Sequence, residues 1–223
     1  MIADERITAY INSLSTEESP FLEELERTAL ENRVPIIRKE TQSFLKMLVQ
    51  MKRPAQILEI GTAVGFSALL MSEYADPSCR ITTIENYEKR IPIARENFRK
   101  AGKEEQITLL PGDAMELLKG LSGPYDFMFL DAAKAQYIYY LPELLRMLPE
   151  GGILVTDNVL QDGNIVQSRF AVERRDRTIH ARMREYLYTV THCEELATSI
   201  LPLGDGVTVS VKKRKTEERK DES

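Results

Sequence analysis

Asp131, Asp157 and Asn158 each stand where a short apolar run stops, and Lys134 follows the first of them by three residues. Two carboxylates and an amide oxygen make a hard, all-oxygen set suited to Mg²⁺ or a similar divalent cation, with positions left for water or substrate. No histidine or cysteine lies in these stretches, which disfavours zinc. Taken alone, Asp157-Asn158 would equally well cap a loop, and a single lysine such as Lys134 is more often solvated than catalytic.

A second set lies upstream. In "EIGTAVGFS", Gly61 and Gly65 give a tight turn that leads into a helix, so a ligand can approach the backbone. The spacing is G-x-x-x-G, without the G-x-G-x-x-G of a dinucleotide pyrophosphate site. A glycine turn of this kind can also do no more than pack a helix against a strand. Glu85 follows Gly61 by 24 residues, at the end of the next apolar run, where an acid suits the two hydroxyls of a ribose. Asp113, after the third run, is placed near where an adenine would lie. A nucleoside without a pyrophosphate, held among carboxylates, points to S-adenosylmethionine, whose sulfonium is cationic.

These residues need strands to bring them together. From residue 56 the chain alternates short apolar runs with helical patterns: "QILEIG", "FSALLMSEYA", "RITTIE", "EKRIPIARENFRKAG", "ITLLPGD", "AMELLKGL", "DFMFLD", "QYIYYLPELLRML" and "GGILVTDN". Such alternation means βαβ units and a parallel sheet covered on both faces. A helix around residues 173–191 follows, then "EELATSILPL" and "GVTVSVKK". Asp205-Gly206 marks a turn that pairs these last two as a hairpin. The first third reads as helices. Ser19 caps a segment with Pro20 at its first position and Phe21, Leu22, Leu25, Ala29 and Leu30 on one face. A second amphipathic segment runs from Lys39 to Met51. The expected fold is α/β: a Rossmann-like, doubly wound, mostly parallel seven-stranded sheet with an antiparallel strand near the C-terminus and extra N-terminal helices. In such sheets ligands bind beyond the carboxyl ends of the strands.

The length of 223 residues fits one domain better than two. We expect residues 1–213 to form it, with helices in 1–53 and a disordered tail from 214 to 223. No apolar run is long enough for a bilayer, and "MIADERITAY" lacks the apolar centre of a signal peptide. Cys79 and Cys193, far apart and outside any ligand spacing, fit free thiols in a reducing cytoplasm. The net charge of −5 argues against a protein that coats nucleic acid, although a local basic patch can override it.

The stretches "LEIGTAVGFSALLM", "TTIE", "GDAMELL", "YDFMFLDAAKAQY", "GGILVTDNVL" and "PLGDGVTVSVK" resemble, in order, those of the small metal-dependent class I O-methyltransferases, the group that holds catechol and caffeoyl-CoA O-methyltransferases. Ala63 stands where many methyltransferases have another glycine, as in this subgroup. The resemblance implies Asp131, Asp157 and Asn158 as metal ligands and Lys134 as the general base. It also implies donor contacts from Ile37, Glu59, Gly61, Ser67, Glu85, Asp113, Ala114 and Asp131, and a homodimer.

A metal with two open positions favours an acceptor with two adjacent oxygens, such as a catechol or 5-hydroxyuracil. The segment "SRFAVERRDRTIHARMR" carries Arg169, Arg174, Arg175, Arg177, Arg182 and Arg184 against Glu173 and Asp176, a surplus of four positive charges. Arginines grip phosphates and stack on unpaired bases, although an exposed helix laced with ion pairs would show the same composition. With "VPI" at 34–36, "DAAKAQY" and "TDNVL", the whole chain most resembles the bacterial tRNA 5-hydroxyuridine methyltransferases. That implies a tRNA partner and methylation of wobble 5-hydroxyuridine to 5-methoxyuridine; the alternative is a small catechol-like or caffeoyl-type acceptor.

Overall fold

In the computed structural model, which describes residues 4–168 and 170–215, seven strands form one sheet in the order β3-β2-β1-β4-β5-β7-β6. They are β1 (Gln56–Ile60), β2 (Arg80–Glu85), β3 (Ile107–Pro111), β4 (Phe127–Leu130), β5 (Ile153–Thr156), β6 (Leu196–Leu201) and β7 (Val207–Lys212). The first five run parallel, and β7 is antiparallel to both β5 and β6. This is the expected sheet, hairpin included. The expected tail lies almost wholly outside the described residues.

Each central strand is apolar on both sides because helices cover both. Ile57, Phe127, Phe129 and Val155 enter one core with Leu22, Leu45, Leu69 and Leu70. The alternate residues Leu58, Ile60, Met128, Leu130 and Leu154 enter the other with Leu141, Leu144 and Met183. Full burial of each such side chain is worth about 1.5–3 kcal/mol, so a one-residue slip of any central strand would set both layers wrong.

Among the described residues, eight α-helices flank the sheet: α1 (Glu5–Ser13), α2 (Pro20–Glu31), α3 (Lys39–Lys52), α4 (Phe66–Tyr74), α5 (Ile91–Lys100), α6 (Ala114–Gly120), α7 (Tyr137–Met147) and α8 (Arg177–His192). Ser19 caps α2 by accepting from the Leu22 N–H at 3.3 Å. Leu22, Leu25 and Ala29 are buried, but Leu30 is exposed: the packed stripe is narrower than the apolar pattern suggested. The segments expected from Glu88 and from residue 173 begin three and four residues later, as α5 at Ile91 and α8 at Arg177. Among the described residues, no helix is long and apolar enough to cross a membrane.

Candidate active site

Backbone pairing carries the chain past the strand ends and sets the site. Asp131 N–H donates to Ile60 O, and Asp157 N–H to Leu130 O, each at 3.0 Å. The two aspartates are therefore fixed side by side beyond β4 and β5, the placement expected from the sequence. Gly61 N–H donates to Ile84 O at 3.0 Å, which ties the glycine turn to β2. That turn passes very close to β4: a Cβ on Gly61 would lie 2.0 Å from the Asp131 carbonyl oxygen, at a φ of +104°. Only glycine fits there.

The strand ends open into a cleft of about 470 Å³. Of the residues singled out in the sequence, Ile37, Gly61, Ser67, Glu85, Ala114, Asp131, Lys134 and Asn158 line it. Glu59, Asp113 and Asp157 do not. Asp113 is exposed and caps α6, accepting from the Met115 N–H at 2.8 Å. Its side chain is occupied by the helix rather than turned to the cleft.

Glu85 lines the cleft and also holds it together. One carboxylate oxygen accepts from the Ala63 N–H at 2.7 Å, the other from Asn86 N–H at 3.0 Å and Tyr87 N–H at 2.8 Å. Ala63 is at φ +48°, a left-handed conformation that costs an alanine about 1–2 kcal/mol, and the charge-assisted bond from Glu85 offsets that strain.

Glu59 is fully buried beneath the turn. It accepts a short hydrogen bond from Thr83 Oγ1, which is itself paired with Thr62 Oγ1 at 2.5 Å. Its Oε1 has no hydrogen-bond partner among the described residues. Burial pushes the carboxyl up to about 7, against the hydroxyls of Ser67 and Thr83, with Asp131 and Glu85 adding repulsion.

Asp131 and Asp157 are both raised above the ordinary aspartate range, chiefly by burial. Lys134 and Asn158 oppose the rise at Asp131, whereas the charge on Asp131 adds to it at Asp157. Asn158, at φ +63°, donates from Nδ2 to Asp131 Oδ1 at 2.7 Å, and its N–H donates to Asp157 Oδ1 at 2.7 Å. Among the described residues no three His, Cys, Asp or Glu side chains meet in a metal-holding group. The candidate set is thus the two carboxylates and the Asn158 amide. Two adjacent carboxylates, one half-buried and one buried, fit a divalent cation, which would relieve the repulsion between them. Tyr137 braces the pair, donating to Ala132 O at 3.2 Å and Asp157 O at 3.4 Å.

Lys134 opens a short 3₁₀ turn before α7. Its Nζ donates to Asp205 Oδ2 at 3.0 Å, an ion pair in which the Asp205 side chain is almost wholly buried. Sequence reading missed Asp205 as a functional residue: its place before Gly206 gave it a sufficient role as a turn residue.

The arginine segment is less free than its composition suggested. Arg177, Arg182 and Arg184 donate to Val172 O, Ala135 O and Ile165 O respectively. Arg182 also lies over the Tyr139 ring at 5.0 Å, and Arg175 pairs with Glu173 and Asp176. Arg174 is exposed, and Arg169 lies outside the described residues.

A family model described as O-methyltransferase matches residues 12–213. The chain belongs to the O-methyltransferase family. Among its relatives, tapetum-specific methyltransferase 1 of Arabidopsis thaliana is 30% identical over 74% of this chain and 73% of its own. A catechol O-methyltransferase of Mycobacterium tuberculosis is 34% identical, over 55% of this chain and 56% of its own. A Staphylococcus aureus protein provisionally named a caffeoyl-CoA O-methyltransferase superposes with a TM-score of 0.86 at 30% identity, covering 94% of this chain and 100% of its own. The methyltransferase of Podospora anserina solved with S-adenosylhomocysteine follows at 0.84 and 27%, over 94% of this chain and 95% of its own.

Proposed function

We propose that the protein transfers the methyl group of S-adenosylmethionine to one hydroxyl of a small acceptor with two adjacent oxygens, of the catechol or caffeoyl type, with a divalent cation. The observation that carries this reading is the pair at the end of β4 and β5, Asp131 half-buried in the cleft wall and Asp157 buried beside it, with Lys134 at the same wall. Relatives named for catechol and caffeoyl-CoA acceptors support the acceptor class. The methyltransferase solved with S-adenosylhomocysteine supports the donor.

In this reading Glu85 receives the ribose hydroxyls, and the Glu59 carboxylate is the buried counter-charge for the donor's ammonium group. The unpartnered Oε1 of Glu59 supports that assignment, since a buried acceptor without a donor is costly unless a ligand supplies one. Asp131, Asp157 and Asn158 would hold the cation, which supplies Lewis acidity toward the acceptor hydroxyl. Lys134 Nζ would take the hydroxyl proton, which requires its ion pair with Asp205 to give up a proton first. The acceptor oxygen then attacks the methyl carbon, the carbon–sulfur bond breaks, and S-adenosylhomocysteine leaves as a neutral thioether. The pocket walls contribute mainly by holding oxygen and methyl carbon in line.

Methylation of 5-hydroxyuridine in tRNA is a second reading, because that base offers the same adjacent oxygens. Of the described arginines of that segment, Arg174 is the one left for phosphate, since Arg175, Arg177, Arg182 and Arg184 are engaged within the chain. A methyl-transfer assay with labelled donor and Mg²⁺, run in parallel on catechol, caffeoyl-CoA and tRNA bearing 5-hydroxyuridine, decides between them. Transfer to tRNA alone would overturn the small-acceptor reading. There, replacing Arg174, Arg175 and Arg177 together would have to raise KM for tRNA and flatten its salt dependence. For dimerisation, the exposed Ile7, Tyr10, Ile11 and Leu14 of and beside α1 offer an apolar face, which sedimentation of a Tyr10→Glu variant would test.

A further inference from the structure

Asp205 ties together the loops that follow β4 and β5. Its Oδ2 receives Lys134 Nζ at 3.0 Å, from the loop after β4. Its Oδ1 accepts a short bond from the Asp162 backbone N–H, in the loop that follows Asp157 and Asn158. Its own carbonyl accepts from Leu160 N–H at 3.0 Å, and Gly206 O accepts from Val159 N–H at 2.9 Å. The contact is too close for a side chain: a Cβ on Gly206 would lie 2.7 Å from the Leu160 nitrogen. From the outside, Arg38 clasps the same two loops, pairing with Asp162 at 2.8 Å and donating to Gly204 O at 3.3 Å.

A buried carboxylate with both oxygens committed is a fixed object, whereas a lysine carries four rotatable bonds and is a third exposed here. We propose that Asp205 is a positioning residue for Lys134, its carboxylate fixing where the amine stands at the acceptor end of the cleft. The loop before β7 thereby becomes part of the reaction geometry, although none of its residues lines the cleft. Arg38 acts one step further out, holding the loops that hold Asp205. This rests on the reading in which Lys134 acts on the acceptor hydroxyl.

The test is Asp205→Asn, which keeps an oxygen for the Asp162 N–H but turns an amide toward Lys134. Turnover of a catechol acceptor should fall roughly 10²-fold, the scale set by small misplacements of a reacting group, with donor affinity unchanged by calorimetry. Lys134→Ala should be slow as well, and the double variant no slower than Lys134→Ala alone, because Asp205 has nothing left to position. If thermal melting shows Asp205→Asn unfolded, Asp205→Glu serves instead. It retains the charge but moves it by a methylene, and its loss of turnover should likewise vanish in the Lys134→Ala background. Parental turnover in the folded Asp205 variant, or losses that multiply with Lys134→Ala, would overturn the assignment while leaving the methyltransferase reading intact. Parental turnover in Lys134→Ala would overturn the base role of Lys134 and, with it, this assignment.

Discussion

Replacing Glu59 by glutamine should change how stability depends on pH, in a direction and amount that the structure sets. The carboxyl is fully buried and raised from 4.5 to about 7, first by burial and then by repulsion from Asp131 and Glu85. A folded pKa above the unfolded one favours the protonated form. Its contribution to stability is therefore fully present below pH 4.5 and lost as pH rises through about 7. At 1.36 kcal/mol per unit the whole loss is about 3 kcal/mol, of which about 2.5 kcal/mol falls between pH 5 and pH 8. Glutamine has the same shape, can donate to Thr83 Oγ1, and does not titrate. Both chains keep Asp131 and Asp157, so the protonation of those groups largely cancels in the comparison. Urea unfolding of the ligand-free, metal-free protein at the two pH values gives the number directly. The advantage of Glu59→Gln over the parent should grow by about 2.5 kcal/mol from pH 5 to pH 8, close to 1 M in midpoint at an ordinary slope. A difference that stays constant across that range would show that Glu59 is ionised in the folded protein throughout, and the argument from burial would be refuted.

The same carboxyl links the donor to protons. Binding of the donor's ammonium at Glu59 needs its charge, so donor affinity should rise about fivefold from pH 6 to pH 7, where that ammonium is still protonated, and stay level in Glu59→Gln, as calorimetry would read. Asp157→Ala should abolish turnover while donor affinity is largely kept, because Asp157 lies behind the cleft wall; full activity in excess EDTA would count against any metal role. Glu85→Ala should weaken donor binding by ~1.5–3 kcal/mol, the worth of bonds to a charged group, and an unchanged dissociation constant would displace the ribose from Glu85. Gly61→Ala drives a methyl into the Asp131 carbonyl at a φ that alanine resists. It should lower stability by more than about 2 kcal/mol and cost turnover too, whereas an unaltered melting temperature would mean the turn can shift freely.

Much of the fold was legible because period and punctuation agree. Runs such as "FMFL" and "ILVT" are too short for helices and too apolar for loops, and the polar residues after them mark where the sheet ends. What the pattern did not mark was where helices begin. Glu88, Lys89 and Arg90 extend the helical composition of α5 without joining it, and the α8 pattern likewise starts in the turn before Arg177. Charged residues satisfy a helical pattern equally well inside and just outside a helix, since no burial tests them. Leu30 shows the same limit from the apolar side. Its spacing suits the stripe, yet Leu22, Leu25 and Ala29 are buried and Phe21 packs against the same core while Leu30 stays exposed.

Site residues were legible to the extent that their position on a strand determined their surroundings. Asp131 and Asp157 follow directly from register: β4 and β5 pair from Phe127↔Ile153 to Leu130↔Thr156, so the next residue of each must be a neighbour of the other. Glu59, expected as one of the donor contacts, sits one residue inside β1, opposite Phe129, and parity sends it into the core on the face of Ile57. That single residue of register separates a carboxylate that meets solvent from one held near neutrality. Asp205 was hidden for the opposite reason. An aspartate before a glycine already has a sufficient local explanation in turn geometry, and its partner is 71 residues away. Local chemistry could account for the residue without revealing that it also anchors Lys134. The acceptor end of this cleft is therefore assembled by contacts of large sequence separation, Arg38 to Asp162 and Lys134 to Asp205, whereas the donor end is built mainly from the G-x-x-x-G turn and the end of the next strand. In the proposed reading, the choice of acceptor then falls to the loops around Asp162 and Asp205.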